Sequence, residues 1–151
     1  MGEVDLAEEL ARLLPAQRTV ATALGRVVER VTGLTPVQAA TVLAIQDGAR
    51  RASEVARETS QHPSGASRVI ESLVQIGVVD RDVDPEDRRA VVLTLTEHGS
   101  DRAAAVMASY QEALRRVVDA MPPDVMQDLV AGLETFLDLA LDALATDQSA
   151  E

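Results

Sequence analysis

At Gly77 the hydrophobic period of this 151-residue chain changes, and few folds accommodate what lies on either side. Before it, apolar residues return every three or four positions, as on one face of a helix. After it, Val78-Val79-Asp80-Arg81-Asp82-Val83 is short and β-branched, and Val91, Leu93 and Leu95 alternate with Val92 and Thr94, which predicts two strands. Between the strands lies Asp84-Pro85-Glu86-Asp87-Arg88-Arg89, a charged turn whose only apolar side chain is proline.

The helices before Gly77 are short and heavily punctuated. Thr35-Pro36 supplies an N-cap with proline at the first helical position, so a helix opens there and ends near Gly48. Its expected buried face is Val37, Ala40, Leu43 and Ala44. Ser53 is expected to cap a second helix through Val55, Ala56 and Thr59. Pro63 opens a third, with Ala66, Val69, Ile70, Leu73 and Ile76 turned inward and Gly77 as its stop. Three short helices joined by tight turns describe a helix-turn-helix unit, and the hairpin that follows makes it a winged helix.

Long amphipathic segments flank this centre. Leu6, Leu10 and Leu13, then Val20, Leu24, Val27 and Val31, mark an N-terminal helix. Pro15 predicts a break or kink within it, the main helix running from about Ala16 to Val31 and stopping at Gly33. Thr96 caps a helix with a stripe from Ala103 through Val106, Met107, Tyr110, Leu114, Val117 and Val118 to Met121. Pro122-Pro123 ends it and opens a last helix carrying Met126, Leu129, Leu133, Phe136, Leu137 and Leu144. The N-terminal helix, so long in so small a chain, has little core of its own to lie on, which points to a helical dimer interface, with packing within the chain as the alternative. The expected class is mainly α with a small β-hairpin wing (α+β): a winged helix-turn-helix over residues 34–96, dimerisation helices over 1–33 and 97–146, and a disordered tail at 147–151.

Composition excludes several functions. The chain has no cysteine, so a disulfide framework, a zinc finger and a thiol nucleophile are ruled out. Tyr110 and Phe136 are its only aromatics, too few for a platform that stacks single-stranded bases. His62 and His98 stand too far apart in sequence to argue for a metal site. There is no Gly-x-Ser-x-Gly elbow, phosphate-binding glycine loop or dinucleotide fingerprint, so no enzyme activity and no cofactor are expected. No apolar stretch approaches the roughly 20 residues of a membrane span, and the acidic start is unlike a signal peptide; a soluble, cytoplasmic protein is expected.

The formal net charge of −11 argues at first against a nucleic-acid partner. Its distribution does not. Every basic residue is arginine, and seven of the 14 lie within residues 50–89, whereas residues 90–151 hold eleven acids against three arginines. Contact with DNA, if made, is central. The third short helix then leaves Ser64, Gly65, Ser67, Arg68, Glu71, Ser72 and Gln75 outside its buried face. Small residues suit entry into a groove about 12 Å wide. Arg68 is able to bond guanine in bidentate fashion, and Glu71 to accept from cytosine while repelling phosphates. An ordinary solvated helix face would also fit any one of these residues. At the hairpin tip, Arg88 and Arg89 suit a narrow minor groove, with Asp87 holding Arg89 extended; alone, such pairs are also unremarkable surface chemistry. Arg50, Arg51, Arg57 and Arg81 are further candidates for phosphate contact.

The runs Gly77-Val78-Val79-Asp80-Arg81, Asp84-Pro85-Glu86-Asp87-Arg88-Arg89 and Leu93-Thr94-Leu95-Thr96-Glu97-His98-Gly99 closely resemble the signature of the MarR family of bacterial transcriptional regulators. His62-Pro63-Ser64-Gly65-Ala66-Ser67-Arg68 looks like that family's recognition-helix opening. The resemblance is specific over residues 62–99. It implies a homodimer with interleaved terminal helices, two winged helices on a pseudo-palindromic duplex, and Asp87 and Arg89 as the wing anchor. It also implies an effector pocket between dimerisation helices and winged helix, for which Arg18, Thr22, Arg26, His98 and Tyr110 are the candidates and a small aromatic or anionic molecule the expected ligand. The chain departs from the family pattern at Gly65, at Gln75 and Ile76 (where basic residues are common), and in the added charges of Glu58, Glu71 and Asp82. Fewer neutralised phosphates predict a shallow dependence of DNA affinity on salt. The expected function is a dimeric, sequence-specific regulator of transcription, a repressor released by a small molecule. The competing reading is a winged-helix module that docks another protein through its acidic surface.

Overall fold

A computed structural model of the chain describes residues 5–84 and 90–147. In order come α1 (Leu6–Thr32), α2 (Pro36–Gln46), α3 (Ala52–Glu58), α4 (Pro63–Gln75), β1 (Val79–Val83), β2 (Val91–Leu95), α5 (Glu97–Ala120) and α6 (Pro123–Asp147). This is the winged-helix arrangement expected from the change of period. Residues 1–113 form one compact unit and residues 114–151 a second.

The ends of the central helices lie where their capping chemistry puts them. The Thr35 hydroxyl accepts from the Gln38 amide, and the Gln38 side chain returns to the Thr35 N–H, closing a capping box before Pro36. α4 begins at Pro63 and gives way to Gly77, whose φ of +69° disfavours any side-chain-bearing residue. The strands pair antiparallel from Val79 opposite Leu95 to Val83 opposite Val91. The Leu93 N–H also donates to the Arg50 carbonyl at 2.8 Å, tying the hairpin to the turn before α3.

The core gathers the end of α1 and all the central elements. Val28, Leu34, Val42, Val55, Ile70, Leu73, Val78, Val79 and Val106 are essentially sealed from solvent, each burial contributing roughly 1.5–3 kcal/mol. α5 enters at close range: a Cβ on Gly99 would lie 2.0 Å from the Val78 carbonyl oxygen. The Thr96 hydroxyl completes this junction, donating to the Gly77 carbonyl at 2.7 Å and accepting from the Gly99 N–H at 2.9 Å.

Four local expectations are corrected. α1 is one helix from Leu6 to Thr32 with Pro15 inside it, so the break expected there is absent. The ring removes one internal N–H donor at an exposed site, a local cost that the remaining turns, capped by Asp5 and closed at Gly33, outweigh. α2 buries Ala39, Thr41, Val42, Ala44 and Ile45, while Val37 and Ala40 are exposed. Enclosed by α1, α3, α4 and β2, it has no single stripe for a 3.6-residue period to reveal. Ser53 lies inside α3, whose start is instead satisfied by Glu54. Ile76 is half exposed because α4 ends before it.

Within the second unit, the described part of α6 buries none of its large apolar residues: Val125, Leu129, Val130, Leu133, Phe136, Leu137 and Leu139 are all exposed. The tail expected at 147–151 lies, beyond Asp147, outside the described residues. Among the described residues, no helix is long and apolar enough to cross a membrane.

Candidate nucleic-acid interface

α4 is set in place from its first residue. The His62 imidazole Nδ1 accepts from the Ser64 N–H at 3.3 Å and lies 2.8 Å from the Ser64 hydroxyl, so an imidazole caps the helix. Ser64, Ser67, Arg68 and Glu71 then face solvent. The Ser67 hydroxyl donates to the Pro63 carbonyl at 3.0 Å, which keeps it close to the helix surface. Gly65 is half-buried, yet a Cβ there would meet nothing nearer than Gln61 Oε1 at 3.9 Å. Its smallness answers no requirement of packing within the chain.

Ser72 does not belong to this outward face. It is half-buried, donating to the Val69 carbonyl at 2.7 Å and accepting from Gln38 Nε2 at 3.1 Å. The helical period places it one step round from Glu71, on the side that meets α2.

Two ion pairs join the hairpin stem to the residues beside it. Arg81, on β1, meets Glu71, on α4, at 2.9 Å. Arg51, just before α3, meets Asp84, just after β1, at 3.1 Å. Of the other phosphate-contact candidates, Arg57 stands 4.0 Å from Glu58. The guanidinium groups of Arg50 and Arg68 have no carboxylate partner among the described residues. Beside Arg81, a cleft of about 190 Å³ is lined also by Ala52, Ser67, Ile70, Val91 and Leu93. Asp87, Arg88 and Arg89, the expected wing tip, lie outside the described residues.

Glu54 supports this surface from beneath. Its carboxylate accepts from the Arg50 N–H at 2.7 Å and the Arg51 N–H at 3.0 Å. These backbone bonds, Arg50's first, hold its pKa below the ordinary glutamate value.

The effector candidates separate. Arg18, Thr22 and Arg26 share one exposed face of α1, beside an open depression lined also by Pro15, Thr19 and Ala23. The Thr22 hydroxyl is taken by the Arg18 carbonyl at 2.8 Å. His98 and Tyr110 do not line that depression. His98 Nε2 faces Arg102 Nε at 3.4 Å, and Tyr110 is half-buried against the core. Arg102, absent from the sequence-based candidates, donates to the Thr32 carbonyl and so joins α5 to the end of α1. Only its position one turn after His98 hinted at a structural part.

Residues 32–90 match the family model described as MarR family. An uncharacterized HTH-type transcriptional regulator of Mycobacterium leprae is 33% identical over 81 residues, which cover 54% of this chain and 56% of that protein. The match therefore spans little more than half the length of this curated relative. Among solved structures, a MarR family protein from Bacillus stearothermophilus superposes with a TM-score of 0.81 at 17% identity, covering 93% of this chain and 99% of that one. The RV1404 protein of Mycobacterium tuberculosis gives 0.77 at 23%, covering 92% and 96%. CouR from Rhodococcus jostii RHA1, solved with p-coumaroyl-CoA bound, gives 0.69 at 22%, covering 89% and 95%. At these identities the superpositions speak for a shared fold.

Proposed function

We propose that this chain, whose residues 32–90 match the MarR family model, is a dimeric, sequence-specific double-stranded DNA-binding regulator of transcription. One observation carries the reading. The exposed face of α4 is small at Ser64, Gly65 and Ser67, and offers in Arg68 a guanidinium that no described carboxylate neutralises. Such a face enters a major groove without steric conflict and presents one bidentate donor to a base edge. Arg50, Arg51, Arg57 and Arg81 surround it as phosphate contacts, and Asp87, Arg88 and Arg89 extend the reading to the neighbouring minor groove. Ser72, turned toward Gln38, acts by holding α4 against α2.

Dimerisation is supported by the apolar rows left uncovered on residues 1–33 and 97–146, including Leu10, Leu13 and Leu14 on α1 and Leu129 and Leu133 on α6. A two-fold pair of winged helices reads half-sites about one helical turn apart. The regulator acts as a repressor released by a small anionic or aromatic effector. The support is the likeness to CouR, solved with p-coumaroyl-CoA bound, and the arginines of the α1 depression. A ligand that prefers a different wing separation weakens operator binding by population shift.

Fluorescence anisotropy tests this with the duplex upstream of the protein's own gene and further promoters, at two salt concentrations, with scrambled duplex as competitor. Expected is binding that survives the competitor, falls at least tenfold for Arg68→Ala, and collapses for Arg89→Ala with dimerisation unchanged. Equal affinity for natural and scrambled duplexes at every promoter tried would replace this function with that of a protein-docking module.

A further inference from the structure

The Glu71–Arg81 pair spans the recognition helix and the wing stem, yet both partners remain open to solvent, Arg81 at 40% and Glu71 at 53% of their side-chain surface. A pair so exposed adds little to folding. Its geometry also argues against a base-reading part for Glu71. A carboxylate with one oxygen 2.9 Å from a guanidinium has part of its accepting capacity and most of its charge already engaged. What the pair does control is whether Arg81 is available to a phosphate. Arg51 is held in the same way by Asp84 at 3.1 Å, so two of the five described arginines in the basic centre carry a carboxylate in close contact.

Building on the DNA-binding reading, we propose that Glu71 is a positioning residue that sets the number of phosphate contacts by competition: it occupies the Arg81 guanidinium until a correctly docked duplex supplies a phosphate in its place. Non-specific binding is almost wholly a matter of phosphates neutralised and counterions released. On a scrambled duplex, few contacts compensate for breaking the pair and leaving the Glu71 carboxylate beside phosphates, so Arg81 stays paired. On the operator, base contacts by α4 fix the register and bring a phosphate to Arg81 at short range. The carboxylate thus lowers affinity for every duplex: on operator by the cost of opening the pair, on scrambled duplex by the smaller phosphate contact forgone. The operator complex therefore counts one more phosphate contact than the scrambled one, and its affinity depends more steeply on salt.

The test compares wild type, Glu71→Gln, Arg81→Gln and the double variant, each first checked for folding by circular-dichroism melting. Operator and scrambled duplexes are titrated with each over a series of salt concentrations. Expected for Glu71→Gln is a three- to tenfold gain in affinity for operator, its salt slope unchanged, and a smaller gain for scrambled duplex. The salt slope on scrambled duplex steepens by about 0.9, the value of one added phosphate contact. In the Arg81→Gln background most of that gain disappears. Weaker operator binding by Glu71→Gln with scrambled binding unchanged would make Glu71 a base reader and overturn the proposal. So would a gain undiminished without Arg81, which is a general charge effect. If neither wild type nor Glu71→Gln binds any duplex, the DNA-binding reading falls and takes this inference with it; binding by Glu71→Gln alone would support both.

Discussion

α1 is one continuous helix lying in two environments. At its C-terminal end Val28 is fully buried and Gly25 approaches Pro36 so closely that a Cβ would stand 2.9 Å from the proline ring. Four turns earlier Leu10, Leu13 and Leu14 are 50–55% exposed, although their spacing is as amphipathic as any in the chain. The rows on α6 are exposed in the same way. A stripe at helical spacing shows that a helix has an apolar face, and says nothing of what covers it. In the winged helix the chain supplies its own cover; for the terminal helices a second copy is the proposed cover.

The two regions should therefore fail differently. The largest effect is expected at the junction of β1 with α5. Gly99→Ala drives a methyl into the Val78 carbonyl and should destabilise the fold by about 3 kcal/mol or more in urea titrations. Leu73→Ala empties a sealed site and should cost about 2–5 kcal/mol. Leu133→Glu, on an exposed row, should leave the winged helix folded but raise the dissociation constant of the dimer at least tenfold, about 1.4 kcal/mol. Sedimentation across protein concentrations separates these outcomes. A Leu133→Glu protein that associates as wild type does would mean the row faces solvent in use, and the comparison would break.

Smaller effects sharpen the contrast inside the winged helix. Gly65→Ala has room for its methyl, so thermal stability should rise by about 0.5–1 kcal/mol. If the glycine serves close approach to DNA, operator affinity falls in the same variant; stability and affinity rising together would remove that role. The smallest effect concerns Glu54, whose pKa is lower folded than in the free residue. Such a group stabilises the fold above the ordinary carboxylate range, and its contribution is lost as pH falls through the folded value. The melting difference between wild type and Glu54→Ala should thus be widest near neutral pH and narrow in acid. A difference independent of pH would assign the effect to packing.

Much of the winged helix was legible because its boundaries are written in local chemistry. Thr35-Pro36, Pro63, Gly77 and Thr96 each meet a capping or stop requirement within a few residues, and the structure starts or ends an element at each. Periodicity failed where a helix is enclosed by several neighbours, as in α2, or where the element ends before its pattern does, as at Ile76. Of the candidate interface, residue types on α4 could be read, but their partners could not. Glu71 with Arg81, Arg51 with Asp84 and Gln38 with Ser72 meet only after the chain folds back on itself. Ser72 read as outward was an error of that kind, and Glu71 was read without its partner Arg81: sequence spacing gives the face of a helix and omits what the next element brings to it.

Sedimentation equilibrium of the purified protein, alone and with one equivalent of operator duplex, tests the account most directly. It predicts about 32 kDa for the free protein, twice the 16.1 kDa chain, and two chains on each duplex. A free protein of one chain mass at micromolar concentration, binding duplex one chain at a time, would contradict it.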